Sequence, residues 1–288
     1  MTKLALAFIR FSVPFVACAL AGMAQAAPAS PAEGFDKPLQ VQTKRLKADP
    51  EYPGEKHVAS CYSYPGYMVK QLDFGEVGAE RLSIIALVAG ANAPCDQSKA
   101  PGEYVIPPET WSGYFAGAKG GYAFFNADDG VNDGMGFIVL RVEDKKKIFE
   151  DVREKSFHSM ELHDGVPLVR YRRVYSASCS VPVDGASCID AIVRDTGVSK
   201  ASLGLCAQGY RQAEESLARE RCKAQSKTTG SCMTQEMALL HKQKWDASPS
   251  VISYEVELDL HEIAAKDKPL PAAQIKPLGD ALACRPAD

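Results

Sequence analysis

The cysteines constrain this chain more than any other feature of its sequence. Nine occur in 288 residues, and eight remain if a leader that carries Cys18 is removed. An even number of cysteines in an exported chain predicts a disulfide framework, and the absence of C-x-x-C argues against a zinc ribbon or a thioredoxin-like redox pair. We therefore expect four disulfides among Cys61, Cys95, Cys179, Cys188, Cys206, Cys222, Cys232 and Cys284.

Local geometry predicts how these cysteines pair. A hairpin closed by a Pro182–Gly185 loop places Cys179 opposite Cys188. Cys206 and Cys222 cannot pair if they share one straight helix, because its rise separates them by roughly 24 Å. Cys222 instead lies at the same end of a predicted helical hairpin as Cys232. The expected disulfides are Cys61–Cys95, Cys179–Cys188, Cys206–Cys284 and Cys222–Cys232.

Residues 1–26 have the pattern of a cleavable signal peptide. A positive start is followed by a short apolar run, and the small residues Ala24 and Ala26 precede the expected cleavage site. A membrane anchor is the alternative, but Arg10 leaves fewer than the roughly 20 unbroken apolar residues that a span needs. Cys18 offers a weaker lipoprotein alternative, because the usual leucine is missing before it. We therefore expect a periplasmic or secreted protein with no membrane span in the mature chain.

The charge balance narrows the range of partners. Removing the leader takes away Lys3 and Arg10 and lowers the formal net charge from −3 to −5. A mildly acidic surface gives no electrostatic reason to bind nucleic acid or an anionic membrane. With nucleic acid and anionic membranes disfavoured, we expect any partner to be another periplasmic or secreted protein.

The pattern along the chain predicts a single α+β domain. After the leader, residues 27–55 lack apolar periodicity and indicate a flexible arm. Short apolar runs bounded by glycine, asparagine and aspartate are typical of strands, and apolar spacings of three and four residues favour helices. Within the domain, 56–288, we expect a β-rich part (56–195), a disulfide-linked helical hairpin (199–247), and a return strand with an extended tail (250–288). The fold class is mainly antiparallel β-sheet, with the helices inserted before the last strand.

One hairpin can be registered from the sequence. Asp164-Gly165 is the two-residue signature of a type I′ turn. The register that it implies gives one mostly apolar face and one mostly polar face, as expected of a sheet with one solvated side. The apolar face then holds Met160, Val169, His158 and Tyr171, and the polar face holds Ser159, Arg170, Phe157 and Arg172.

Motifs for catalysis are missing, so no catalytic residue is assigned. The nearest match to G-x-S-x-G, at residues 185–189, lacks the closing glycine. No S-x-x-K and no H-E-x-x-H occur either. A triad assembled from distant residues stays open, because triads are recognised by geometry rather than by order. No cofactor is indicated.

Two metal sites can be weighed from the sequence. His158 and Met160 lie two residues apart and both bind copper, but His163 has the spacing of the opposite face. The oxygen-rich segment 126–134 suggests calcium, yet the twelfth position from Asp128 is Val139 rather than a bidentate glutamate. Asparagine and aspartate next to glycine are also common in turns. We therefore expect no metal site.

The candidates for recognition are loop aromatics and two arginines. Tyrosine, tryptophan and arginine dominate protein interfaces, although the same aromatics also pack loops. The candidates are Tyr62, Tyr64, Tyr67, Trp111, Tyr114, Arg170 and Arg172.

The functional hypothesis is an exported, non-enzymatic, disulfide-stabilised binding or interaction module. Its alternative is an envelope-directed hydrolase with a dispersed active site. A deep pocket with a nucleophile beside a histidine or carboxylate would favour the enzyme, and an exposed recognition surface would favour binding.

Overall fold

The computed structural model describes residues 34–47, 57–88, 93–225, 230–243, 245–261 and 275–287. The predicted signal peptide, and residues 27–33 and 48–55 of the predicted arm, lie outside these ranges. The described chain forms two antiparallel sheets, with helices inserted before the last two strands. The fold class is therefore α+β, as predicted.

The first sheet has five strands in the order β1-β2-β3-β4-β5. Its first strand corrects the prediction that residues 27–55 are a flexible arm, because β1 pairs along its whole length with β2. The strands are β1 (Gln40–Arg45), β2 (Val58–Tyr64), β3 (Tyr67–Asp73), β4 (Arg81–Ala86) and β5 (Tyr104–Val105).

The second sheet has eight strands. Seven follow the order β13-β12-β11-β9-β8-β7-β6, and β10 pairs with β11. The strands are β6 (Gly113–Lys119), β7 (Tyr122–Val131), β8 (Gly134–Arg141), β9 (Lys146–Arg153), β10 (Ser159–His163), β11 (Val166–Ser176), β12 (Ser250–Asp259) and β13 (Lys276–Pro286).

The helices follow β11 in the chain. The long pair α4 and α5 confirms the predicted helical hairpin, and a short 3-10 turn (Trp245–Ala247) leads into β12. None of the helices in the described ranges is long and apolar enough to cross a membrane. The helices are α1 (Val181–Asp184), α2 (Ala186–Thr196), α3 (Lys200–Leu203), α4 (Cys206–Ala224) and α5 (Gly230–Lys242).

Residues 181–196 are helical, whereas the sequence was expected to be β-rich up to residue 195. Cys188, Ile192 and Thr196 are the buried residues of α2, and they recur every four positions, which is the spacing of one helix face. Gly197 then ends the helix with a φ of 75° and donates its N–H to the carbonyl of Val193. Burial along one helix face therefore decides the structure of this segment.

The C-terminal tail is also more ordered than predicted. Residues 276–286 were expected to lie extended over the surface, but they form β13, which pairs antiparallel with β12. The prolines lie near the ends of this strand, at Pro277 and Pro286. A proline is tolerated on an edge strand where its missing N–H is not needed for pairing.

Three apolar clusters stack the elements into layers. Successive residues of β7 and β8 point to opposite faces, so Phe124 and Phe137 pack under the helices while Phe125 and Ile138 pack against the first sheet. A third cluster lies on the far face of the first sheet, under the segment that contains Cys95. The order of layers is helices, second sheet, first sheet and a covering loop.

The four disulfides have the predicted pairing. The pairs are Cys61–Cys95, Cys179–Cys188, Cys206–Cys284 and Cys222–Cys232, with Cα–Cα distances of 5.0 to 5.9 Å. The expected reason for the second pair was wrong, however. No hairpin closes around Pro182–Gly185; the chain reverses through α1 and Gly185, which has a φ of 58°.

The Asp164-Gly165 hairpin has the predicted register, with Met160 opposite Val169. Positive φ angles of 51° and 82° at the two turn residues agree with a type I′ turn. The faces predicted for Phe157 and His158 were wrong, because both residues precede β10, which begins at Ser159. Phe157 turns into the core and His158 remains exposed.

Candidate functional site

Arg170 and Arg172 lie on the solvated face of the second sheet, where they are paired rather than free. Arg170 contacts the Glu257 carboxylate at 2.8 Å, and Arg172 contacts Glu154 at 2.6 Å. Arg172 also donates to the carbonyl of Ser253 at 3.1 Å. These ion pairs connect β11 to β12 and to Glu154, which follows β9. The charge of each arginine is offset by a carboxylate. The two arginines thus form a surface ion-pair ladder, whose pairs contribute little individually.

Two exposed histidines, His158 and His241, pair with carboxylates. His158 pairs with Glu255 at 2.8 Å beside the arginine ladder, so it lies on the opposite face from that predicted. His241 pairs with Glu214 across the helical hairpin at 3.3 Å. His57 stacks on the ring of Phe74. The copper-ligand alternative at His158 and Met160 fails, because Met160 is buried in the core on the other side of the strand.

The two tyrosines at the β2–β3 turn are core residues. Tyr64 and Tyr67 are buried and their rings stack at 5.1 Å. Burial, together with the negative charge of Asp36, raises the pKa of the Tyr64 phenol to about 12. Both tyrosines pack in the apolar cluster between the sheets. They cannot contact a partner without unfolding this turn.

Trp111 and Tyr114 brace loops beside a shallow cleft. The Trp111 indole donates to the carbonyl of Asn126, and the Tyr114 hydroxyl accepts from the N–H of Gly78 at 2.9 Å. The cleft between these loops is lined by Phe74, Glu76, Val77, Gly78, Ala79, Glu80, Pro108 and Ser112. Its acidic lining holds no group of three potential metal-ligating atoms among the described residues.

The oxygen-rich segment 126–134 is mostly strand rather than loop. Strand β7 continues to Val131, and the turn consists of Asn132 and Asp133, with φ angles of 54° and 56°. Asp128 accepts from the Ser112 hydroxyl, whereas Asp133 pairs with Arg285 at 2.8 Å. In the described ranges the group of three potential ligands is Cys179, Asp184 and Cys188, and its two sulfurs form a disulfide.

Two buried ionic groups are sealed inside the fold. Lys70 contacts Glu103 at 3.0 Å, and both side chains are fully buried under the loop closed by Cys61–Cys95. Arg173 contacts Asp151 at 2.9 Å, and Asp151 also accepts from Tyr171 at 2.5 Å. Because neither group faces solvent, each stabilises the arrangement of its strands and offers no surface for a substrate.

Tyr62 is the recognition candidate that lies beside an open strand. Its ring is half-buried and packs on Phe115 at 4.9 Å, and it is the direct cross-strand partner of Val41 in β1. All six residues of β1 are exposed. Leu39, just before the strand, and Val41 are 73% and 43% exposed. The alternating pattern puts Val41 on the same face as Tyr62, whereas the N–H of Leu39 donates to the carbonyl of Ser63, the cross-strand partner of Gln40.

The backbone of β1 is open on its outer side. The N–H of Leu46 donates to the carbonyl of His57, so Gln42 and Lys44 share its orientation and bond to β2. The N–H and C=O groups of Val41, Thr43 and Arg45 therefore point away from the sheet. In the described ranges nothing pairs with them. We call these three outward backbone groups, with the side chains of Leu39 and Val41, the β1 edge.

Three of the other sheet edges are protected in ways that β1 is not, whereas the five-residue β10 also pairs on one side only. Strand β5 has only two residues. The outer carbonyls of Gly113 and Ala118 in β6 accept from Ala79 and Asp36, and β13 packs against α3 and α4. Proteins usually shorten, cap or cover such edges to prevent unwanted pairing. A six-residue exposed edge strand that carries apolar side chains is therefore unusual in this molecule.

The β1 edge was not predicted, because residues 27–55 were assigned to a flexible arm. The available signal was the alternation of Leu39, Val41 and Thr43 with glutamine, over a stretch too polar to suggest a buried strand. No protein-family model matches this sequence, and searches of curated proteins and of solved structures found no match. A function therefore has to come from the geometry of this chain.

Proposed function

We propose that this protein is an exported, non-enzymatic binding module of the periplasm or the extracellular medium. It holds an extended segment of another exported protein as an added strand on the β1 edge. The observation that carries this proposal is the outward backbone of β1, which has no partner in the described ranges and lies next to exposed Leu39 and Val41. Adding a strand to an open sheet edge is a recurrent mode of peptide recognition.

Four disulfides support the exported part of this proposal. Disulfides persist in oxidising compartments and are rare in the reducing cytoplasm. The sequence of residues 1–26 supports it independently. Intact-mass measurement of exported material tests it directly: we expect a mature chain that begins at Ala27. A retained Met1 or a lipid on Cys18 would contradict this expectation.

The positions of the reactive groups support binding over hydrolysis. The buried lysine and arginine clusters are closed to solvent, and two of the exposed histidines, His158 and His241, pair with carboxylates. A hydrolase needs a nucleophile and a base that converge at an accessible position. The groups that the β1 edge offers to a partner are instead backbone N–H and C=O groups, which can hydrogen-bond to an added strand.

Replacing Thr43 by proline tests the role of the β1 edge. The Thr43 N–H points outward, so Thr43→Pro removes a donor from the edge without removing a bond to β2. We expect wild-type protein to capture a partner from the exported fraction of its own cells, and Thr43→Pro to lose that partner. Thr43→Val, which keeps the N–H, is the matched control and should retain it.

Hydrogen exchange distinguishes docking on β1 from docking elsewhere. In the captured complex, the amides of Val41, Thr43 and Arg45 should exchange more slowly than in the free protein, because a partner strand would then bond them. A partner that binds Thr43→Pro as tightly as wild type, with unchanged exchange at these amides, would show that β1 is not the binding surface.

A further inference from the structure

We propose that the segment received by the β1 edge is acidic, with negatively charged side chains alternating with apolar ones. This inference rests on the proposed function and specifies the chemistry of the partner. It is carried by the charge of the strand and its flanks, by the exposed apolar side chains of Leu39 and Val41, and by the repulsion that opposes pairing with a second copy.

The described segment that contains β1 is strongly basic in an otherwise acidic chain. Residues 37–47 carry four cations and no acidic residue, whereas the whole chain has a formal net charge of −3. The cations are exposed. Lys44 contacts Asp96 at 3.3 Å, and its side chain remains 59% exposed. No ion pair involves Lys37, Arg45 or Lys47 within the described residues. A strand docked here would therefore meet an excess of positive charge.

Lysine on an edge strand often serves only to repel other strands. Here that explanation leaves the apolar side chains unaccounted for. Val41 lies on the face that also carries Tyr62, and Leu39 and Val41 are 73% and 43% exposed. A docked strand presents alternate side chains to the two faces. Its apolar side chains would cover Val41, and its acidic ones would lie on the opposite face, near Lys44.

Charge also argues against a second copy of this chain as the occupant. Two β1 strands side by side would bring together two segments of residues 37–47, each with four cations. Within the described residues, Asp96 is the carboxylate that pairs with a cation of this segment. Like charges across a strand pair are destabilising, so an acidic partner fits this edge better.

Short peptides test the charge preference without knowledge of the natural partner. We would use a labelled, blocked seven-residue peptide that alternates valine with glutamate, and a matched peptide with lysine in place of glutamate. A third peptide carries the glutamate sequence with N-methyl groups on the backbone nitrogens that would face β1. Binding to the mature protein is followed by fluorescence anisotropy at low and at high salt.

We expect the glutamate peptide to bind at least about tenfold more tightly than the lysine peptide at low salt, and salt to reduce this ratio. The N-methylated peptide should not bind, because it cannot pair with the edge. Lys44→Glu, on the face that the glutamates of the peptide would occupy, should weaken binding of the glutamate peptide about tenfold. Lys223→Glu, an equal change of charge on the exposed surface of α4, should leave it unchanged.

The remaining outcomes overturn the inference in different ways. Equal binding of the lysine peptide would refute the acidic preference but leave strand docking intact. If neither peptide binds and the protein forms a dimer that Thr43→Pro dissociates, the occupant is a second copy. If neither peptide binds, the protein is monomeric and Thr43→Pro still captures its partner, both this inference and the proposed function are wrong.

Discussion

Gly209 is the residue through which helix α4 touches the last strand. A Cβ atom placed there would lie 2.1 Å from the carbonyl oxygen of Cys284. Neither backbone can easily move away, because the Cys206–Cys284 disulfide joins the same helix to the same strand. The glycine is therefore explained by a close approach of two backbones and not by any special φ angle.

Gly209→Ala should destabilise the protein by about 1–3 kcal/mol. Alanine would gain up to about 1 kcal/mol in helix propensity over glycine, but the clash with Cys284 opposes it and is larger. Urea denaturation of the oxidised protein measures the change. Gly230→Ala is the control, because no atom lies within 4 Å of its added methyl group; it should be neutral or slightly stabilising. An unchanged stability in Gly209→Ala would mean that α4 and β13 are further apart.

The buried Lys70–Glu103 ion pair is a second place where a single substitution should change the free energy of unfolding strongly. Lys70→Met leaves the Glu103 carboxylate buried without its cation, and we expect a loss of about 3–5 kcal/mol. The double variant Lys70→Met/Glu103→Leu removes both charges and should recover much of that loss, because no buried charge is then left unpaired. Urea denaturation of both variants is the measurement. A double variant as unstable as the single one would show that the pair is not the cause.

The same pair should make stability fall in acid. Burial alone would raise the pKa of the Glu103 carboxyl, but the N–H of Ala100 and the ammonium of Lys70 bind its charged form and hold the pKa below its usual value. A carboxyl with a depressed folded pKa contributes stability above its unfolded pKa and loses it as the pH falls through the folded pKa.

We therefore expect the urea midpoint of wild type to fall between about pH 5 and pH 3. The Lys70→Met/Glu103→Leu variant should fall less steeply over that range, because it lacks this carboxyl. Parallel pH profiles for the two proteins would indicate that other carboxylates cause the acid sensitivity.

At the scale of elements, the sequence predicted best where periodicity and cysteine geometry agree. The spacing of Cys206, Tyr210 and Ala213 indicates a helix, and the separation of Cys222 from Cys232 indicates a hairpin loop; both are present. Helix α2 was predicted as part of the β-rich region, whereas burial along one helix face decides the outcome. Apolar periodicity in the sequence reveals the faces of a helix or strand only when that element buries one of its faces.

Strand β1 could not be predicted for the complementary reason. Its polar and apolar residues alternate, but the strand buries neither face, so this pattern lies in a polar stretch and is weak; the strand exists through its pairing with β2. The burial of the tyrosines at the β2–β3 turn was not predicted, because a sequence does not show which loop aromatics are covered. The ion pairs of Arg170 and Arg172 were not predicted because Glu257 and Glu154 are distant in the sequence.

The two disulfides of the helical layer should differ in their effect on stability. Cys206–Cys284 spans 78 residues and Cys222–Cys232 spans 10. In the chain-entropy model, a longer closed loop restricts the unfolded state more, so the costs of removal are about 4–5 and about 3 kcal/mol. Paired cysteine-to-serine variants, compared by urea denaturation, test this order. A larger loss from removing Cys222–Cys232 would mean that folded-state strain or residual unfolded structure dominates.

At the scale of the whole molecule, non-covalent contacts and disulfides join the layers. Apolar packing in the cluster that contains Val69, Ile84 and Phe125 holds the two sheets together, with hydrogen bonds such as that from the Phe115 N–H to the Gln71 side chain. Disulfides attach the outer parts: Cys61–Cys95 attaches the covering loop to the first sheet, and Cys206–Cys284 attaches the helices to the second. The covering loop and the helices are the two outermost layers, and each buries one side only. Each of them is attached to its sheet by a disulfide.

Calcium should leave the melting temperature of the whole molecule within about 1 °C of its value without the metal. Asp128 and Asp133 lie in the segment that suggests a site, but they have separate partners, Ser112 and Arg285. A ligand that binds the folded state raises the melting temperature with the logarithm of its excess. Differential scanning calorimetry in phosphate-free buffer is the measurement, with magnesium as the control. A rise of several degrees with calcium alone would establish a site.

The nesting of Cys222–Cys232 inside Cys206–Cys284 has a consequence for how the chain matures. Synthesis proceeds from the N-terminus, so Cys206 emerges long before Cys284, and Cys222 is the first thiol to follow it. An oxidant that joins cysteines in order of appearance would therefore make the wrong bond. Formation of α4 prevents this error, because a rigid helix holds the two sulfurs too far apart to react. Where oxidation outruns the helix, the cell must supply a disulfide isomerase, and the yield of this protein then reports on that enzyme.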